Sequence, residues 1–263
     1  MSTPVYKAPA VAETGWTGGY LGVSGGYGWG HADVLATPGD PNTQRVFNGQ
    51  PNVPAIATSI DSKGWLGGVQ AGYDWQFAPR WILGFQADFD GANIKGTASL
   101  PVTIGFGNQA AGFSTSQRVD WFVTVRARAG FLPTSGLLLY ATGGLAYGKV
   151  EDSATVSLPS GQSNSSGNSG FAYACGPLYG LSASCFAGAA SRISAGWTVG
   201  AGGEQRITQN LSLTLDYLHV DLGRGSYRMA GSLYSGTPFT SSLLNASSNA
   251  AFDLVRLGLN YRF

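Results

Sequence analysis

The residues able to carry chemistry are few and scattered. Of 263 residues, 15 are Lys or Arg, 14 are Asp or Glu, and there are only two histidines and two cysteines. Nucleophilic catalysis needs a base beside an activated hydroxyl, but the many serines follow no nucleophile-elbow pattern. The histidines, His31 and His219, lie far apart. The pairs Gly18-Gly19 and Gly25-Gly26 cradle no phosphate, because no P-loop lysine and no helix follow them. Cys175 and Cys185 have no histidine nearby, so a metal site is not expected. In an oxidising exported location the two are expected to form a disulfide that closes a lobe over 176–184. No catalytic residue, no cofactor and no metal is therefore expected. A net charge of +1 gives no sign of a nucleic-acid partner.

The remaining charges are placed by an alternation of period two, the mark of a strand with two different faces. Val255, Leu257, Leu259, Tyr261 and Phe263 alternate with Arg256, Gly258, Asn260 and Arg262. In a central segment Val119, Trp121, Val123, Val125, Ala127, Ala129 and Phe131 oppose Asp120, Thr124, Arg126 and Arg128, with Phe122 alone on the polar face. The same alternation starts near Leu21, Trp65, Trp81, Leu139, Ile193 and Leu211, which makes eight strands. Their connections alternate too. Short turn-like links at 78–80, 132–136 and 208–210 separate long stretches near 30–63, 94–117, 150–191 and 222–250, which are rich in Ser, Asn, Gly and Pro. Short turns on one side and long loops on the other are the outer-membrane pattern, with both termini periplasmic.

Composition decides which face points outward. Charged residues are 11% of the chain, against about 25% in soluble domains, too few to coat a soluble exterior. No helical span replaces it, since the longest uncharged apolar stretch, 129–148, holds Pro133 and five glycines. Lipid cannot satisfy an open sheet edge, so a membrane protein without spanning helices closes into a barrel. Up-and-down threading puts Trp16, Trp75 and Trp81 at one rim and Trp29, Trp65 and Trp121 at the other, the two aromatic belts a bilayer favours. The expected fold is an all-β, eight-stranded antiparallel up-and-down transmembrane barrel over 15–263, with a polar periplasmic extension over 1–14. That extension shows no charged segment followed by an apolar run, so a mature chain with its signal peptide removed is expected.

The strand segments resemble a known family. GWTGGYLGVSGGYGWG (15–30), GGVQAGYDWQF (67–77), WILGFQADF (81–89), LLLYATGGLAYG (137–148), WTVGAGGEQRITQNLSLTLDYLHVDLG (197–223) and VRLGLNYRF (255–263) are similar to the small alphaproteobacterial outer-membrane barrels of the porin or immunogenic-protein family, with an OmpA/OmpX-type barrel. The resemblance implies partners: outer-membrane lipid and lipopolysaccharide, and the barrel assembly machinery, for which Phe263 is similar to the C-terminal signal. It brings no catalytic residues. An oligomer is compatible with it.

With apolar residues facing lipid, the interior receives Gln70, Asp74, Gln76, Gln86, Asp88, Asp90, Asp120, Arg126, Arg128, Glu204, Arg206, Asp216, Arg256 and Arg262. Eight strands enclose a space just wide enough for side chains, and unpaired charges there are expensive. The expectation is a plug in which Arg126, Arg128 and Arg256 meet Asp88, Glu204 and Asp216. The functional expectation is an envelope-integrity and surface-display protein. Two alternatives stand beside it. One is a narrow ion-conducting pore. The other is a ligand or adhesion surface on loop aromatics (Phe171, Tyr173, Tyr179, Phe186, Tyr227), or a haem site, for which His31 and the loop tyrosines are the only axial ligands on offer.

Overall fold

The computed structural model describes residues 15–41, 43–44, 55–104, 109–157, 184–233 and 240–263. Eight strands follow in order: β1 Gly18–Pro38, β2 Ile56–Ala78, β3 Trp81–Ile104, β4 Gln109–Thr134, β5 Leu137–Ser157, β6 Ser184–Arg206, β7 Leu211–Leu233 and β8 Thr240–Arg262. Each pairs antiparallel with its sequence neighbour, and β1 pairs with β8 from Tyr20↔Arg262 to Pro38↔Leu244, so the sheet closes into a barrel. Closure gives every strand a neighbour on each side in the spanning half, while pairing lapses toward the loop end between β2 and β3 and between β6 and β7. The end with the short links is called the turn end below, and the other the loop end.

The strands run 21 to 26 residues, about twice the 9–11 that a spanning strand needs. They therefore occupy much of the four stretches expected as loops. β3 and β4 alone pair out to Ile104↔Gln109. The reason is a change of polarity along each strand. Toward the turn end, large apolar side chains point outward, among them Leu21, Val69, Phe85, Leu145, Leu215 and Leu257. Toward the loop end the alternation is inverted. On β1 the outward residues become His31 and Asp33, while Ala32, Val34 and Ala36 are buried inside. Small, polar outward residues in that half give no apolar periodicity, so it reads as loop.

Two irregularities keep the faces correct. Pairing shifts beside Asp120, between Val119↔Val150 and Trp121↔Lys149. Val119 and Phe122 consequently both point inward and are buried. Val119, expected on the outer face, is on the inner one, and Phe122 is no exception to the pattern. Pairing of β7 with β8 shifts between Asp221 and Arg224, around Gly223 at φ 74°. A positive φ suits glycine, which has no Cβ to clash. Beyond it the parity of β7 reverses: Leu218, Val220 and Leu222 point inward below, Tyr227 and Met229 above, and Arg224 and Arg228 are left outside.

The interior is stacked in layers. At the turn end Trp16, Ile82, Leu132, Leu138 and Tyr140 form an apolar floor. Charged groups fill the space above it. Next comes an apolar layer of Leu66, Ile94, Val119, Phe122, Val150, Leu218, Leu222, Phe252 and Leu254, in which the rings of Phe122 and Phe252 meet edge to face at 5.3 Å. A thin polar layer follows, where Gln117 Nε2 donates to Asp152 Oδ1 at 3.0 Å and Arg192 pairs with the same carboxylate. A second apolar cluster, with Phe113, Val156, Phe186, Met229 and Leu244, closes the loop end.

Phe122 is fully buried in the middle apolar layer, and emptying its place should be costly. Phe122→Ala is expected to remove about 3–5 kcal/mol of stability, read by reversible urea unfolding in detergent through tryptophan fluorescence. A loss as small as that at an exposed position would show that the layer is not packed.

Candidate functional site

The charged layer is the chemical centre of the molecule. It is built by inward positions of β2, β3, β4, β6, β7 and β8. Asp74, Asp88, Asp90, Glu204, Asp216, Arg126, Arg128, Arg256 and Arg262 are all buried. Ions removed from water need partners close enough to replace hydration, and the register supplies them.

Two clusters result. In the one nearer the middle of the barrel, Arg126 Nη2 lies 2.5 Å from Asp88 Oδ2. Arg256 reaches three carboxylates, with Nη1 at 3.1 Å from Asp88 and 2.8 Å from Asp90, and Nε at 3.2 Å from Asp216. Thr124 Oγ1 donates to Asp88 at 2.9 Å. In the cluster nearer the turn end, Arg128 Nη2 lies 2.5 Å from Glu204 and its Nη1 3.4 Å from Asp74. Arg262 bridges the same two acids at 3.0 Å and 2.5 Å.

Aromatic and amide groups tie the clusters together. The Tyr140 ring lies 3.7 Å from the Arg128 guanidinium carbon, and its hydroxyl donates to Asp216. Tyr20 donates to Gln86 at 3.1 Å, Gln86 to Gln70 at 3.2 Å, and Gln70 to Asn260 at 2.6 Å. Room for these large groups comes from bare backbone opposite them. A Cβ on Gly202 would come 2.5 Å from Asp216 Oδ1 and 2.7 Å from the Tyr140 ring.

Of the six residues expected in the plug, the structure brings all six together: Arg126 and Arg256 with Asp88, Arg256 with Asp216, and Arg128 with Glu204. Asp74, Asp90 and Arg262 belong to the same network and were not singled out as its members. Their inward parity, shared with Gln76, Asp88 and Asn260, is the signal that marks them. Tyr20 and Tyr140 were missed because an aromatic residue in a barrel strand reads as lipid-facing; here too parity identifies them.

Other expected positions fare differently. Asp120 is not in the lumen; the shift beside it turns it to the outer rim, where it meets Arg118 and Lys149. Trp16 is not a belt residue. It is 2% exposed, its indole donates to Ser135 O at 3.0 Å, and Arg206 and Arg262 lie over its ring at 4.3 and 4.6 Å. Trp16 precedes β1, so no strand holds it outside, and the apolar floor takes it in. Trp75 and Trp81 are exposed toward the turn end, and Trp29 and Trp65 toward the loop end, with Trp121 half-buried. Phe263 is exposed beside Tyr261. Phe186 and Tyr227, expected on a loop surface, are buried in the barrel, whereas Phe171, Tyr173 and Tyr179 lie outside the described residues. So does Cys175, and with it the expected bridge; Cys185 is buried in the upper apolar cluster.

His31 projects outward and its Nδ1 lies 2.8 Å from Asp61. His219 contacts Asp253 at 2.8 Å beside the Trp197 ring. Among the described residues no group of three His, Cys, Asp or Glu side chains is placed to hold a metal.

A closed up-and-down barrel with an apolar outer belt and a charge-packed lumen defines an integral outer-membrane β-barrel. The chain matches the outer membrane protein beta-barrel domain over residues 2–263 and belongs to that family. It is 33% identical over 264 residues to the 31 kDa outer-membrane immunogenic proteins of Brucella melitensis and Brucella suis, covering 100% of this chain and 90% of each relative. Among solved structures, it overlays OprG from Pseudomonas aeruginosa at TM-score 0.37 and 12% identity, covering 95% of this chain and 98% of that one. Ail from Yersinia pestis overlays at TM-score 0.33 and 13% identity, covering 94% and 100%. The protein resides in the outer membrane of a Gram-negative bacterium.

Removing Arg256 leaves Asp88, Asp90 and Asp216 facing one another without their shared cation. Arg256→Met is expected to cost about 3–5 kcal/mol in urea unfolding, whereas Arg228→Met on the exposed face should stay within about 0.5 kcal/mol. Equal effects would mean that the network does not hold the barrel.

The exposed pair His31–Asp61 has a pH signature. Its hydrogen bond to the Asp61 carboxylate raises the His31 pKa above 6.5. The contribution is complete below the unfolded value and is lost as pH rises through the folded one. An NMR titration should show His31 titrating at lower pH in Asp61→Asn; an unchanged midpoint would refute the pairing.

Proposed function

We propose that this barrel is a structural and display element of the cell envelope: a closed pillar across the outer membrane, with termini and short turns in the periplasm and the loop end facing outward. In this reading it has no catalytic part and conducts no ions. The observation that carries it is the sealed interior. The paired charges are bounded by apolar layers on both sides, and the middle layer, with Phe122, Leu254 and Val220 all at most 1% exposed, supports a lumen without a polar route along the axis among the described residues. Ions crossing it would have to shed their hydration without replacement. Around the spanning half the strands pair on both sides, which makes the pillar stiff. The orientation is supported by the long extension of the strands beyond the apolar belt at the loop end only, since outer-membrane barrels carry their short connections on the periplasmic side. The similarity to immunogenic outer-membrane proteins fits a surface-displayed loop end.

Purified protein in planar bilayers should give no stable single-channel openings. An epitope inserted between Ile104 and Gln109 should be reached by antibody on intact cells, and one at Pro79–Arg80 only after permeabilisation. Persistent conductance would overturn the closed pillar, and the opposite labelling pattern would overturn its orientation.

A further inference from the structure

Cross-strand register places three cations side by side on the outer wall. Lys63 of β2 pairs with Lys95 of β3, and Lys95 pairs with Arg118 of β4. All three face outward and are exposed. Neighbouring strands lie about 4.8 Å apart, so three adjacent strands present a short horizontal row of positive charge. Like charges directly opposite one another in a sheet repel, and here two such pairs follow in succession. Among the described residues no carboxylate pairs with Lys63 or Lys95. The nearest acid on β2, Asp61, is engaged by His31, and Asp120 is taken by Arg118 and Lys149. Arg118 contacts Asp120 through Nε, and its side chain is still 52% exposed.

The level of this row decides what meets it. Trp65, two residues nearer the turn end than Lys63, is 73% exposed, and Phe89 stacks on Trp121 at 6.1 Å on the same wall. These rings belong to the upper edge of the apolar belt, where acyl chains end and headgroups begin. The opposite wall differs. Asp253 of β8 stands across from Trp29, and Asp221 of β7 across from Trp197. At these positions β7 and β8 thus present carboxylates, where β2, β3 and β4 present the row of cations.

We propose that β2, β3 and β4 bind the phosphorylated headgroup of an outer-leaflet glycolipid. Lys63, Lys95 and the free edge of Arg118 would hold its phosphate, and Trp65, Phe89 and Trp121 would lie against its acyl chains. Phosphate is the anion that matches this geometry, because its oxygens accept from two or three donors at once. It supplies a counter-charge for Lys63 and Lys95, which have none among the described residues, and adds to the one that Asp120 gives Arg118. The proposal rests on the orientation given above only for which leaflet provides the lipid.

Native mass spectrometry of the purified barrel released from mixed micelles tests it, using bis-phosphorylated lipid A and its dephosphorylated form as probes. The phosphorylated lipid should be retained about tenfold better than the dephosphorylated one. Lys63→Gln/Lys95→Gln/Arg118→Gln should fall to the dephosphorylated level, while Arg224→Gln/Arg228→Gln, exposed cations on β7, should keep the preference. Lys95→Gln alone, at the centre of the row, should already weaken retention and keeps the test valid should the triple variant not fold. Equal retention of the two lipids, undiminished binding by the row variants, or equal loss in the β7 control would each overturn the proposal. Micelles have no sides and report no conductance, so failure here is separate from failure of the closed, outward-facing pillar.

Discussion

An eight-stranded ring encloses a column only as wide as the side chains that point into it, and everything else in this molecule answers to that width. Water cannot fill the column in bulk, so each inward residue must find its partners among other inward residues. Because the outer belt must be apolar to meet lipid, alternation delivers the polar and charged residues of the spanning half to the inside. Arg256 illustrates the consequence. It lies within 3.2 Å of three carboxylates from two other strands, β3 and β7, and so ties distant parts of the wall together across the lumen. Breaking a buried ion pair strands a charge that nothing else can satisfy, so these pairs also specify one register over its neighbours. A slip of one residue would turn Arg126, Arg128 and Arg256 into lipid.

The loop-end half is governed by the opposite solvent. Outside the bilayer the wall faces water, and the inside becomes the place to hide apolar groups, as in a soluble barrel. Each strand therefore carries two inverted patterns. The transition takes only a few residues, as between Trp29 and Ala32 on β1. On β4 and β7 the residue count does not match the inversion, and a shift beside Asp120 and another at Gly223 restore it. The positive φ at Gly223 lets β7 take its extra residue and keeps Arg224 and Arg228 in water while Tyr227 and Met229 stay dry.

This arrangement explains what was legible in the sequence and what was not. Strands with large apolar residues on one face, such as Val255–Phe263, could be read directly, because period two is strong there. The lumen plug was legible for the same reason: once lipid claims the apolar face, the charges have one place left. The upper half of each strand was not. Ala32, Val34 and Ala36 are small, their outward neighbours are His31, Asp33, Leu35 and Thr37, and with an apolar residue on each face the contrast is weak enough to pass for loop. Trp16 was misplaced because ring chemistry alone does not separate a belt tryptophan from a lumen one. The difference lies in Gly15–Thr17 preceding the first ladder pair, which frees the ring to turn inward beneath Arg206 and Arg262.

The layered interior also determines where function can lie. A path for ions would have to cross the middle layer, and opening that layer means moving Phe122, Leu218 and Leu254, which are fully buried, into the surrounding wall. The charge network below it is held in place by its ion pairs, since Arg126, Arg128, Arg256 and Arg262 each meet at least one carboxylate. The outer surface has no such closure. At the upper edge of the belt Lys63 and Lys95 have no carboxylate beside them among the described residues, and Arg118 next to them is only partly engaged by Asp120, so what surrounds the barrel is left to supply the missing counter-charge. In a molecule that pairs its buried arginines with carboxylates, two exposed lysines side by side without one point outward to the membrane as the partner.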